Sequence, residues 1–81
     1  MTEEQAMAEL VGMPAVASVP TVAGKMTVVG RVAVPLLIEG EVVTHASVEG
    51  MITTEMVAGL VTEPERPIRL EMIPLHTITL L

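Results

Sequence analysis

The sequence predicts a mainly β fold: a small antiparallel meander or barrel-like sheet with a short N-terminal helix and an extended, proline-containing arm. Two observations support this prediction. Glycines recur every nine or ten residues through the middle of the chain, and a β-branched residue lies two positions after each of them. The intervening segments are rich in Val, Ile and Thr, which is typical of short strands separated by turns.

The repeated glycines define the expected strands and turns. They are Gly30, Gly40, Gly50 and Gly59, followed by Val32, Val42, Ile52 and Val61. We expect hairpin turns at Glu39-Gly40 and Glu49-Gly50. The predicted strands lie near Lys25–Val34, Leu36–Ile38, Val42–Val48, Met51–Val57, Ile68–Ile73 and Leu75–Leu80.

The first residues predict a helix followed by an arm. Thr2 and Gln5 fit a capping box, and Gly12 with Pro14 ends the helix. Its apolar stripe is too short to be stable alone, so it must dock on this domain or on another subunit. The run from Pro14 to Val22 has two prolines and no turn residue, so we expect an extended arm, with an ordinary linker as the alternative. The predicted organisation is residues 1–24 as helix and arm, and 25–81 as the β domain.

Two strands differ in their predicted surroundings. Residues Glu41–Glu49 alternate between apolar and polar, as in a half-buried antiparallel strand. Residues Val34–Ile38 are apolar on both faces and contain Pro35, which cannot donate to a ladder and so predicts an edge or a bulge. A doubly apolar edge should be covered, and a second subunit would cover it.

A ten-residue period also fits a small β-solenoid with two blocks per coil. The runs Ile38–Val42 and Val48–Ile52 resemble the repeats of bactofilins, over about a quarter of the chain. This resemblance implies a solenoid as the alternative to the meander.

Composition favours assembly over a self-sufficient fold. Cys, Asp, Asn, Phe, Tyr and Trp are all absent, so the chain has no disulfide and its core must be aliphatic. A chain of 81 residues buries only about 60–65% of its unfolded surface, and small domains of this kind commonly gain stability by oligomerising. The seven methionines replace aromatic residues as core filler rather than forming a binding groove.

Charge excludes several classes of partner. The net charge is −6, and the four cations are scattered along a chain without aromatic residues, which argues against nucleic acid and against anionic membranes. The longest uncharged stretch, Leu10–Gly24, is broken by prolines and is too short to span a bilayer. Glutamates occupy the positions where a signal peptide carries positive charge, so we expect a cytoplasmic protein, or one within a virion-like particle, and no secretion by a signal peptide.

Catalysis and metal binding are poorly supported. Glu41, His45 and Ser47 share a strand face, but neighbouring same-face positions lie about 7 Å apart, beyond hydrogen-bond reach. His45 and Glu49 would be separated by over ~13 Å, and His76 joins them only if its strand lies beside theirs. We therefore expect no enzyme, no catalytic residues, no metal and no cofactor.

The predicted function is that of a structural subunit that forms homo-oligomers or a larger particle with itself or with neighbouring structural proteins. A bacteriophage virion component (capsid decoration, connector or tail) is the most specific version. The alternatives are a small acidic protein-binding module acting as adaptor or inhibitor, and a designed or simplified β-protein without an evolved function. The expected interface residues are Met7, Leu10, Val16, Val19, Leu36, Leu37, Ile38, Ile78 and Leu80.

Overall fold

A computed structural model describes residues 1–21, 24–57, 60–61 and 66–81. It contains one helix, one 3-10 turn and an antiparallel sheet. The elements in chain order are α1 (Glu3–Glu9), β1 (Pro14–Thr21), β2 (Gly24–Glu39), β3 (Val42–Val57), β4 (Leu60–Val61), β5 (Arg66–Pro74), the 3-10 turn (Leu75–Thr77) and β6 (Ile78–Leu80).

The strands form one meander whose last strand returns to the first. The sheet order is β4-β3-β2-β1-β6, and β5 also pairs with β3. The mainly β prediction with a short N-terminal helix is confirmed. The solenoid alternative is wrong, because β1, β2 and β3 are joined as antiparallel hairpins rather than stacked as coils.

The sheet is curled into a barrel-like shape. Only the 3-10 turn separates Pro74, the last residue of β5, from Ile78, the first of β6, although these strands lie on opposite sides of the sheet. Such a connection spans at most about 14 Å, whereas a flat sheet with three strands between them would hold β5 and β6 about 19 Å apart. The sheet must therefore bend, and Ile78 contacts both of the buried clusters inside it.

The core is aliphatic, as expected, and is built largely from small residues. One cluster lies beneath α1 and consists of Ala6, Leu10, Ala15, Val32, Val43 and Ala46. The other lies further along the sheet and consists of Ala17, Val28, Val48 and Ile52. Because alanines fill many inward positions, the facing parts of the curled sheet can pack closely without aromatic side chains between them.

Helix α1 docks on the core of its own chain. The capping box is confirmed: Gln5 N donates to Thr2 Oγ1 (3.2 Å), and Thr2 N donates to Gln5 Oε1 (3.0 Å). Ala6 is fully buried, and Val43 N donates to the Met1 carbonyl (2.7 Å), which ties the start of the helix to β3.

The strands β2 and β3 are each longer than predicted. Each contains 16 residues and joins two of the predicted strands. The register shifts between Ala33 and Leu37, so of the two alternatives expected at Pro35, an edge or a bulge, the structure has a bulge. The turn at Gly40 is also confirmed, with a φ of +65° that favours glycine.

The second predicted turn is wrong. Gly50 lies inside β3, directly opposite Gly30 in β2. The two backbones approach so closely there that neither position has room for a side chain, which explains the glycine without a turn. Gly59 lies outside the described residues. The strand predicted at Leu75–Leu80 begins only at Ile78, since the chain first makes the 3-10 turn that crosses the end of the barrel.

The described part of the predicted arm is a strand of the sheet. Residues Pro14–Thr21 form β1, which pairs with β2 along its whole length and with β6 at Ala15–Ala17. The division into residues 1–24 and 25–81 stays a prediction.

Candidate interaction surface

An apolar row crosses the outer face of the sheet. The strand register places Val16, Val29, Met51 and Pro67 side by side in β1, β2, β3 and β5. In the first three of these strands the row lies next to a fully buried residue (Ala17, Val28 and Ile52), so alternation directs it outward. Val29 is 37% exposed and Met51 is 39% exposed. We call these four residues the outer row.

A charged row runs beside the outer row, two residues along each strand. It consists of Arg31, Glu49 and Arg69, which the register aligns across β2, β3 and β5. Arg69 Nη1 donates to Glu49 Oε2 (2.9 Å), and Arg69 Nε lies 3.4 Å from Glu71 Oε1. Arg31 Nη1 donates to the Gly12 carbonyl (2.9 Å). The charges therefore alternate as plus, minus, plus across the three strands.

The bulge at Pro35 shapes the other side of the charged row. The fully buried Ser47 hydroxyl donates to the Pro35 carbonyl (2.9 Å) and accepts from Met72 N (3.2 Å), which joins β2, β3 and β5 at one point. Arg69 Nη2 donates to the Val34 carbonyl. Val34 and Met72 stay exposed there, at 46% and 44%. Apolar side chains thus flank the charges on both sides.

The predicted interface residues are scattered over the fold. Leu10 is buried in the core, while Leu36, Ile38 and Ile78 are half-buried and pack against it. Val16 and Val19 are half-buried. Met7, Leu37 and Leu80 are exposed.

The outer row brings together only one of the predicted residues. Val16 belongs to it, whereas Val29 and Met51 were not predicted. The available signal was that both alternate with inward residues in their strands, but recognising it required the register between β2 and β3.

A separate acidic groove lies between α1 and the β2–β3 turn. It has a volume of about 810 Å³, and Met7, Ala8 and Ile38 provide its apolar lining. The carboxylate-bearing residues around it are Glu3, Glu4 and Glu41.

The residues considered for catalysis have other partners. Ser47 bonds to backbone groups, as described above, and His45 Nδ1 lies 2.8 Å from Thr44 Oγ1. Within the described residues no three histidine or acidic side chains gather in a way that could hold a metal ion. The part of the chain that is described also contains no helix with the length and hydrophobicity needed to cross a membrane.

Comparisons with protein families, with curated proteins and with solved structures give no match.

Proposed function

We propose that this chain is a non-enzymatic structural subunit that assembles with copies of itself. The observation that supports it is the outer row, which exposes adjacent apolar side chains across four strands of a small protein. Burying a valine or methionine side chain stabilises an interface by roughly 1.5–3 kcal/mol when burial is complete. A surface of this kind gains more by meeting another apolar surface than by facing water.

The more specific proposal is that the subunits build a particle larger than a dimer. Among the described strands, β5 pairs with β3 alone and β6 pairs with β1 alone, so each leaves an edge where another chain can add. A face and free edges together allow more than one kind of contact per subunit. A bacteriophage virion component, located in the cytoplasm or in the assembled particle, needs more than one kind of contact per subunit and is the most specific version of this proposal.

Sedimentation velocity over a range of protein concentrations tests self-assembly. The wild-type chain should show a mass that rises with concentration, and Met51→Glu should stay a monomer because it buries a carboxylate in the outer row. Met7→Glu is the matched control, because it makes the same substitution at another exposed methionine. Met7 is 50% exposed and lies at the acidic groove instead of in the outer row. Circular dichroism verifies that both variants fold.

A folded wild-type protein that stays monomeric at every concentration would refute the proposal. Equal loss of assembly in Met51→Glu and Met7→Glu would show that the outer row is not the contact.

The acidic groove favours a second candidate, a binding module for a cationic partner. Three glutamates around an apolar lining suit a peptide that carries Lys or Arg beside an aliphatic residue. Capture of such a peptide by the monomer, weakened by salt and by Glu4→Lys but unchanged by Met51→Glu, would support this function over self-assembly.

A further inference from the structure

We infer that two copies pack through the outer faces of β2 and β3 about a two-fold axis parallel to the strands, so that Arg31 of each copy faces Glu49 of the partner subunit. This inference rests on the proposed function and adds the register of the contact. The partner that binds this face is a second copy of this chain. The evidence is the alternation of charge in the charged row.

The symmetry follows from the strand register. A two-fold axis between β2 and β3, parallel to both, reverses the order of the strands in the second copy. Each residue of β2 pairs with a certain β3 residue in its own chain. Across the two-fold axis it then faces that same β3 residue of the partner subunit. Val29 is paired with Met51 and Arg31 with Glu49, so apolar meets apolar and plus meets minus. Two-fold contacts are self-complementary in this manner.

The atoms needed for the contact are available. Among the described residues Arg31 makes no ion pair, and its one hydrogen bond uses Nη1. Glu49 accepts from Arg69 through Oε2, which leaves Oε1 for another donor. A guanidinium has five N–H groups and a carboxylate has several acceptor positions, so both residues can keep their present partners.

Another face-to-face axis fits the charges less well. An axis along the outer row would place the charged row opposite the row on the far side, which contains Ser18 and Thr27. No opposite charge is supplied by those two positions.

Curvature predicts the strength of the contact. The outer face of a curled sheet is convex, so two copies meet mainly along β2 and β3. An interface at the low end of the size range gives a weak dimer, which we expect to dissociate at micromolar concentrations.

Mixing two charge-reversed chains tests the register. In Arg31→Glu homodimers carboxylates would face each other, and in Glu49→Arg homodimers guanidinium groups would. A mixed dimer restores two opposite-charge contacts between chains, even though each chain contains a like-charge pair within itself. We expect the mixed dimer to be roughly tenfold tighter than either variant with itself. Native mass spectrometry measures the three species.

The matched control pair is Lys25→Glu with Glu9→Lys. It has the same net charges as the test pair, and both positions are exposed outside the charged row. It should mix statistically. Statistical mixing by the test pair, while wild-type dimers form, would overturn the inference and leave the proposed function intact. Absence of wild-type dimers would overturn both.

Cross-linking provides a second measurement if a charge-reversed chain folds poorly. The chain contains no cysteine, so Val29→Cys and Met51→Cys each introduce one thiol. A short bis-maleimide should join a mixture of the two faster than either alone, because Val29 faces Met51 of the partner subunit. Met7→Cys mixed with Met51→Cys is the control. Equal rates in all mixtures would contradict the register.

Discussion

Gly30 and Gly50 lie opposite each other in the middle of β2 and β3, and a Cβ atom on either would lie 2.6 Å from the Cα of the other. Each such atom would also overlap the backbone of the facing strand, at the carbonyls of Glu49 and Val29. The contact involves backbone rather than flexible side chains, so the strands themselves must move to admit a methyl group.

We therefore expect Gly50→Ala to lower the free energy of unfolding by about 3 kcal/mol. Urea denaturation followed by circular dichroism measures it. Gly40→Ala is the control, because a Cβ at Gly40 meets no atom within 4 Å and only its φ of +65° is unfavourable. That variant should lose only about 1 kcal/mol. Equal losses would contradict the close approach of the strands.

The two buried serine hydroxyls should respond differently to removal. Ser47 Oγ bonds to Pro35 O and Met72 N, whereas Ser18 Oγ is buried without a hydrogen-bond partner in the described part of the chain. Ser47→Ala leaves both backbone groups unsatisfied and should lower the free energy of unfolding by about 1–3 kcal/mol. Ser18→Ala should be neutral or stabilising, because it removes an unsatisfied polar atom. A larger loss for Ser18→Ala in the same denaturation experiment would be inconsistent with these contacts.

Arg69 should matter more to stability than its ion pairs alone indicate. Its guanidinium bonds to Glu49 Oε2 and to the Val34 carbonyl, so it joins β5 to β3 and to the bulge in β2. We expect Arg69→Ala to lower the free energy of unfolding by about 1–2 kcal/mol. Glu71→Gln removes only an exposed ion pair and should change it by less than about 0.5 kcal/mol. Thermal unfolding at low and high salt compares them, and a loss for Arg69→Ala that vanishes in high salt would show that charge alone is responsible.

The glycine period illustrates what a pattern can and cannot predict. Gly40 and Gly50 occupy similar positions in the repeat, yet the first forms a turn and the second lies mid-strand. Both roles require glycine, one for a positive φ and the other for the absence of Cβ, so the residue type does not distinguish them. The distinction depends on the facing strand.

The surface proposed for assembly shows the same dependence. The apolar segment Val34–Ile38 is continuous in sequence, whereas the outer row is continuous only across strands. The alternation within each strand indicates that Val29 and Met51 lie on the same face as polar residues of their own strands. It does not indicate that they lie next to each other.

The sequence by itself determined the mainly β class, the capped N-terminal helix, the aliphatic core and a break in regular pairing at Pro35, because each follows from local propensity, composition or a missing N–H group. Only the tertiary structure decided that β1 lies inside the sheet, that Gly30 faces Gly50 and that Arg31, Glu49 and Arg69 align. Those relationships are set by strand register, and register depends on contacts between residues far apart in the chain.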